Sequence, residues 1–365
     1  MKIKKVDPIL IAVPFELWGP KPPRNTGVWD RMETLYVRVE TDTGIVGWGE
    51  AFGFGASPIT MTAIEHVVGP MCVDREIGDI ADFMQGLQRP LHGMGRNGPV
   101  SFALAGIDIA LWDIAGKAAG KPIHRLLAAR APDRIPTYAS LLHYGNPDLV
   151  ARNVAKALGE GYTHIKLHER TVPAVEAARG AAGADVPMML DVNCAWLPDE
   201  ARRMAASLER FGLAWLEEPI FPPDDAPAMA ALRRGTRIPI AGGENIGSAG
   251  QMTRLMRARA VDIAQPSVTK IGGIVEMRCA ISAARELGLR AMPHSPYFGP
   301  GLIATLHVIA AENADILCER FYCELAASPL HDAIRAENGH MRVPQGPGLG
   351  VEPDLKVIER YRVAG

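Results

Sequence analysis

Apolar and polar positions follow different rhythms on either side of about residue 130. Near the start, "METLYVRVETDTGIVGWGEA" alternates with period two and is interrupted by "TDTG", which predicts two strands joined by a turn. The opening run "MKIKKVDPILIAVPFELW" reads as a further strand. It has early lysines, but Pro8 and Pro14 break its apolar stretch and no small-residue cleavage site follows, unlike a secretion signal. Between these strands "FELWGPKPPRNTGVWDR" is too rich in Pro, Gly and polar residues for a regular element, and a long connection of this kind suits a binding loop or lid. Residues 56–129 read as helical, with Leu104, Ile107, Leu111 and Ile114 at the spacing of a buried helix face.

From Ile135 onward, short apolar strands alternate with Ala-, Arg- and Glu-rich helices such as "DEARRMAASLERFG", the signature of a parallel sheet with crossover helices. A polar residue closes seven successive strands at intervals of about 25 residues: Lys166, Asp191, Glu217, Glu244, Ser267, His294 and Glu319. "IPTYASLL" supplies the eighth strand, in first place. One polar strand end per βα unit describes a TIM-type barrel, whose active sites lie at the C-terminal ends of the strands. In "GYTHIKLHER" the alternation puts His164, Lys166 and His168 on one face, and Lys166 and His168 are expected to face the barrel mouth.

Composition changes little in this picture. The chain has 365 residues, 48% hydrophobic and 22% charged, with a formal net charge of −2. That is ordinary for a globular protein, and without a basic run nucleic acid is not an expected partner. No uninterrupted apolar segment reads as a membrane span. Five scattered cysteines with no CxxC pair suit reduced thiols and a cytoplasmic location.

Asp191, Glu217 and Glu244 come from three adjacent strands, and three carboxylates converging in one mouth repel unless a cation sits among them. Hard oxygen donors without Cys or His point to Mg²⁺ rather than Zn²⁺. Singly, each acid is an ordinary loop carboxylate; their shared register is what makes them a candidate metal site.

The ordered strings "TDTGIVGWGEA", "AGIDIALWDIAGKAAGKP", "LDVN", "WLEEP", "IPIAGGE", "QPSVTKIGG", "PH" and "VPQGPGLGVEPD" resemble the enolase superfamily, in its mandelate racemase/muconate-lactonizing enzyme group, over essentially the whole chain. The resemblance implies an α/β fold: a modified TIM barrel, (β/α)7β, at 130–330, an N-terminal α+β capping domain with lid loops at 1–129, and a C-terminal segment at 331–365 returning to the cap. It also implies Mg²⁺ held by Asp191, Glu217 and Glu244, a small carboxylate substrate, a homo-oligomer, and removal of the proton beside the substrate carboxylate to give an enediolate. A bound metal is a Lewis acid for the charge that develops there. Sites of the enolase type pair such a metal with a Lys or His base.

Two positions depart from the racemase pattern. Where that group carries KxK, this chain has "KLH", so the resemblance puts His168 in the base position and Lys166 in the electrostatic one. Histidine near its ordinary pKa is a competent base at neutral pH. The plainer alternative pairs His168 with Glu169 or a loop carboxylate. In "QPSVTKIGG" Ser267 stands where the group has an aspartate that orients the next strand's histidine, leaving His294 without that carboxylate and suited to donate a proton. A purely structural His294 is the alternative. Glu319 matches the acid that bonds the substrate carboxylate, or else pairs with Arg320.

One base and one acid favour dehydration of an acid sugar or hydroxy acid. Racemisation, epimerisation or cycloisomerisation on the same site are the alternatives, as is a catalytically silent carboxylate- or metal-binding relative. A phosphate-binding barrel rests only on "KIGGI". Asn193, Ser267, Trp18, Arg24 and Trp29 form the expected substrate-contacting set, with Lys21 and "AFGFGASP" completing the lid.

Overall fold

The computed structural model describes residues 1–24, 27–312 and 315–363, and of residues 23, 24 and 27 only the backbone. Strand β1 (Ile3–Glu16) pairs antiparallel with β2 (Arg31–Thr41), which pairs with β3 (Val46–Ala51). The expected turn lies between β2 and β3, with Gly44 at a φ of 82°. The connection after β1 is not wholly irregular, because Pro23–Arg24 and Gly27–Val28 form a minimal hairpin.

The helix Pro99–Ala119 lies flush on β3. Glycine at 47 and 49 makes that approach possible: a Cβ on Gly49 would run into the Gly106 carbonyl oxygen, and one on Gly47 into that of Ala110. This helix has the length and hydropathy of a membrane span, yet 72% of its apolar window is buried inside the protein. It is also more than an apolar face. Asp108 and Asp113 are buried on it, and Asp108 Oδ1 accepts from the Ile274 N–H at 2.5 Å, at the start of a barrel helix. Asp113 accepts from the Trp48 N–H at 2.9 Å and the Leu349 N–H at 2.8 Å, and Lys117 Nζ lies 2.9 Å away. One carboxylate thus ties cap sheet, cap helix and C-terminal segment together.

The barrel strands are β4 (Arg134–Leu141), β5 (Ile165–Leu167), β6 (Met188–Asp191), β7 (Trp215–Glu217), β8 (Ile240–Gly242), β9 (Ile263–Ala264), β10 (Arg290–Ala291) and β11 (Cys318–Tyr322). They are parallel neighbours in that order through β10, and β11 returns to pair with β4. Helices such as Pro147–Gly159 and Ile274–Glu286 cover the outside. Glu319 is not the end of its strand as the pattern suggested, since β11 runs on to Tyr322. After β11, His340–Arg342 adds antiparallel to the start of β4, and the Val363 N–H reaches Leu10 O in the cap at 2.9 Å.

Replacing Asp113 with Ala strands two buried N–H groups and a lysine. It is expected to cost about 2–4 kcal/mol, read as a fall in the denaturant midpoint, with Asp113→Asn recovering part of the loss.

Candidate functional site

The short strands end at one level, and the loops that follow deliver the polar side chains there. Asp191, Glu217 and Glu244 are buried, with one oxygen of each lying within 4.8 Å of the others. Lys166, wholly buried, stands among acids, with Nζ 3.2 Å from Asp191 Oδ2, 2.9 Å from Glu217 Oε1 and 2.8 Å from Glu319 Oε1. Burial opposes its charge, but Glu217, Glu319 and Asp191 override that and hold its pKa well above the ordinary value. Asp191 is driven down despite burial, by Lys166 and then His168, while Glu217 is driven up by burial and Asp191.

The donor set suits a hard divalent cation. Glu244 Oε2 is buried without a well-aligned hydrogen bond, although His294 Nε2 lies 3.0 Å away. An open carboxylate oxygen facing two further carboxylates is what such an ion takes up.

His168 lies on the far side of Asp191. Its Nδ1 is 2.5 Å from the Leu141 carbonyl oxygen, and Nε2 is 3.3 Å from Asp191 Oδ2. A carbonyl only accepts, so Nδ1 carries a hydrogen; Nε2 meets Asp191 as a donor when the ring is charged and turns a lone pair to the mouth when it is neutral. Glu169 pairs with His143 instead, at 3.3 Å from Nδ1, so the carboxylate that His168 meets is that of Asp191. His164 does not join this face. It sits before the strand, with Nδ1 2.9 Å from Thr163 Oγ1.

His294 is supported differently from the expectation that it lacks any carboxylate. Nε2 meets Glu244 as above, and Nδ1 is 3.1 Å from Ser267 Oγ, which in turn touches the Tyr297 hydroxyl. Burial first, against the pull of Glu244, brings His294 down to about 4. Ser267 is fully buried under His294 and does not line the cavity, so the substrate contact expected of it is replaced by a hydrogen bond to the imidazole. Glu319 accepts from Ser140 Oγ at 2.7 Å and from the Ser295 N–H at 2.9 Å. Lys166 and His294, with burial opposing, take it down to about 2. The rim pair with Arg320 does not form: that guanidinium bonds Ile334 O at 2.9 Å and stacks on Phe298.

A cavity of about 470 Å³ covers these groups, within the usual range for small-molecule sites. Asn193, Asp191, Glu244, His168, His294 and Glu319 line its floor; Trp29, Phe52 and Phe54 from the cap close it. Trp29 is therefore placed as expected. Trp18 is not: its ring packs on Tyr322 at 5.0 Å under Lys156, in a separate cleft of 640 Å³. Lys21 bends back to the Phe15 carbonyl, and the Arg24 side chain lies outside the described residues.

Several groups escaped the sequence reading. Lys270 Nζ lies 2.9 Å from Glu244 Oε1 and 3.0 Å from Asn245 Oδ1, so "KIGGI" supplies a partner for the carboxylate cluster. Glu218, adjacent to a ligand candidate, accepts from Asn245 Nδ2 at 3.0 Å, and burial pushes it to about 8. Glu50 projects from β3 into the cavity, with Oε2 accepting from the Gly301 N–H at 2.7 Å. His143, two residues past β4, also lines the cavity; a polar residue just beyond the first strand was visible by the rule that found the others.

The architecture and site together define a capped barrel with a carboxylate-rich metal-type centre. Family models agree: residues 20–128 match the mandelate racemase / muconate lactonizing enzyme N-terminal domain, and 149–357 the enolase C-terminal domain-like model. The chain belongs to the mandelate racemase/muconate lactonizing enzyme family of the enolase superfamily. Arabinonate dehydratase of Saccharolobus solfataricus is 31% identical over 91% of this chain and 91% of its own. D-Galactarolactone cycloisomerase of Agrobacterium fabrum is 31% identical over 92% and 93%. A Streptomyces coelicolor racemase structure with bound magnesium superimposes with a TM-score of 0.87 at 25% identity, covering 99% of this chain and all of that one. These relatives are lyases and isomerases by name, the class of enzyme to which this chain belongs.

Glu50 gives a pH signature. Burial, against its bond from Gly301, raises it from 4.5 to about 8. The unfolded chain loses this proton first, so the stabilisation carried by the neutral carboxyl is complete below pH 4.5 and lost as pH rises to 8. Glu50→Gln, which keeps an acceptor for Gly301, is expected to remove that slope, on the order of 1 kcal/mol per pH unit, in denaturant titrations from pH 5 to 8.

Proposed function

We propose that this enzyme is a Mg²⁺-dependent acid-sugar dehydratase. The observation that carries the reading is the buried cluster of Asp191, Glu217 and Glu244, with His168 beyond one edge and His294 against the other. When bound there, Mg²⁺ supplies positive charge for the substrate carboxylate as its α-carbon is deprotonated.

The remaining work falls to this chain's own groups. His168 Nε2 takes the α-proton, with Leu141 O holding the ring in the right tautomer. Lys166 presents fixed positive charge beside the carboxylates, and Glu319 holds Lys166 and the Ser295 backbone in place. His294, once protonated against Glu244, is a strong acid because burial brings it down to about 4, and it gives that proton to the departing β-oxygen, which leaves as water. Its Nδ1 is braced by a hydroxyl, Ser267, so it is poorly matched to His168 as a second base, and elimination is favoured over racemisation. Trp29, Phe52 and Phe54 exclude water from the carbanion.

A second reading draws on the same lining. Trp29, Phe54, Phe298 and Phe321 offer flat apolar faces that suit a ring-closed acid sugar. If the β-oxygen belongs to that ring, the same proton removal opens it, giving cycloisomerisation without loss of water.

Metal-replete enzyme is expected to convert at least one acid in a panel of aldonates, aldarates and their lactones to a 2-keto-3-deoxy acid, and EDTA to stop it. His168→Ala is expected to lower that rate by about 10²–10⁴-fold. A panel with no turnover, or full turnover in His168→Ala, overturns the assignment.

Metal also has a readout independent of turnover. Mg²⁺ at a hundred times its dissociation constant is expected to stabilise the fold by about 2.7 kcal/mol, seen as a rise in Tm that Glu244→Gln lacks.

A further inference from the structure

His143 has no part in the roles above, although it stands in the same cavity. It follows β4, the strand between those carrying His168 and Glu319. Its Nδ1 lies 2.8 Å from the His168 carbonyl oxygen and 3.3 Å from Glu169 Oε2. Both are acceptors, so Nδ1 carries a hydrogen and Nε2 is the edge left for a ligand. Among the described residues no group bonds that Nε2.

The brace behind the ring is itself buried and held. Glu169 is 1% exposed and accepts from the Tyr144 N–H at 2.7 Å and the Gly145 N–H at 3.2 Å. The two histidines also brace each other's strands, since His168 donates to Leu141 O while His143 donates to His168 O. They differ in depth: the His168 side chain is 14% exposed and that of His143 46%. His143 therefore sits outward of the proposed base, alongside substrate atoms beyond the α-carbon.

Charge favours a donor. The hydrogen bond to Glu169 raises the His143 pKa over the opposing effect of burial. Lys270, which lines the cavity, is occupied by Glu244, and Lys166, buried beneath it, by three carboxylates. His143 is left as a cation-capable group with an open edge.

The geometry points to His143 as a specificity-determining residue that donates a hydrogen bond from Nε2 to an oxygen, hydroxyl or carboxylate, at the end of the substrate remote from the reacting carbons. This rests on the acid-sugar reading of the site. It predicts that substrate length, rather than the chemistry at the α-carbon, is what His143 senses.

Titration calorimetry with Mg²⁺ present separates the possibilities, using lactate as the short hydroxy acid and arabinonate, galactonate and galactarate as long ones. His143→Phe is expected to weaken the best long acid at least tenfold and to leave lactate within twofold, with His143→Gln in between because it keeps a neutral donor. Unchanged affinity for the long acids, or equal weakening of short and long ones, overturns the inference: the first leaves His143 out of binding and the second makes its role structural. If wild type binds none of the long acids, the acid-sugar reading fails and this inference falls with it.

Discussion

Like charge held at close quarters governs this molecule. Asp191, Glu217 and Glu244 are brought within 4.8 Å of one another at buried positions, with Glu319 beside them. Such an arrangement is costly unless positive charge is built in. Lys166 and Lys270 supply it from within the chain, one between Asp191, Glu217 and Glu319, the other on Glu244. Two lysines facing four acids leave the cluster short of positive charge, and a divalent cation is the natural completion. The barrel serves this end: β6, β7 and β8 are neighbours, so their strand ends must share one small volume.

The acid–base chemistry depends on how two rings are held. His168 is fixed through a backbone carbonyl, which sets one tautomer. His294 is fixed through Ser267 and then Tyr297, hydroxyls that can donate or accept. A carboxylate in place of Ser267 would favour a charged ring; a hydroxyl does so less. The difference between the two supports is what inclines the site toward elimination. The cap completes the device by burying the mouth under aromatic side chains, and buried acids join it to the barrel, Asp108 to Ile274 and Glu50 to Gly301, and to the C-terminal segment, Asp113 to Leu349.

Much of this was legible in the sequence because barrels repeat. Regular spacing of polar strand ends marked Lys166, Asp191, Glu217, Glu244, Ser267, His294 and Glu319, all of which the structure brings to one mouth. Period alone could not say what each touches. Ser267 belongs to the expected substrate-contacting set, yet it is fully buried and bonds the His294 ring instead. Trp18 read as lid, but a left-handed backbone at φ 58° and the Tyr322 ring carry it to another cleft. Lys270 and Glu218 lie next to motifs rather than in their expected positions, and His143 was passed over because its strand appeared complete without it. Such pairings are decided by tertiary contacts, which hydrophobic period does not encode.

The most direct test of a metal completing the carboxylate cluster is an anomalous diffraction map from crystals grown with Mn²⁺, a close stand-in for Mg²⁺ at oxygen sites. The predicted result is a peak touching one oxygen each of Asp191, Glu217 and Glu244. At saturating Mn²⁺, the absence of density among those three carboxylates, with Lys166 still bridging its acids, would contradict it.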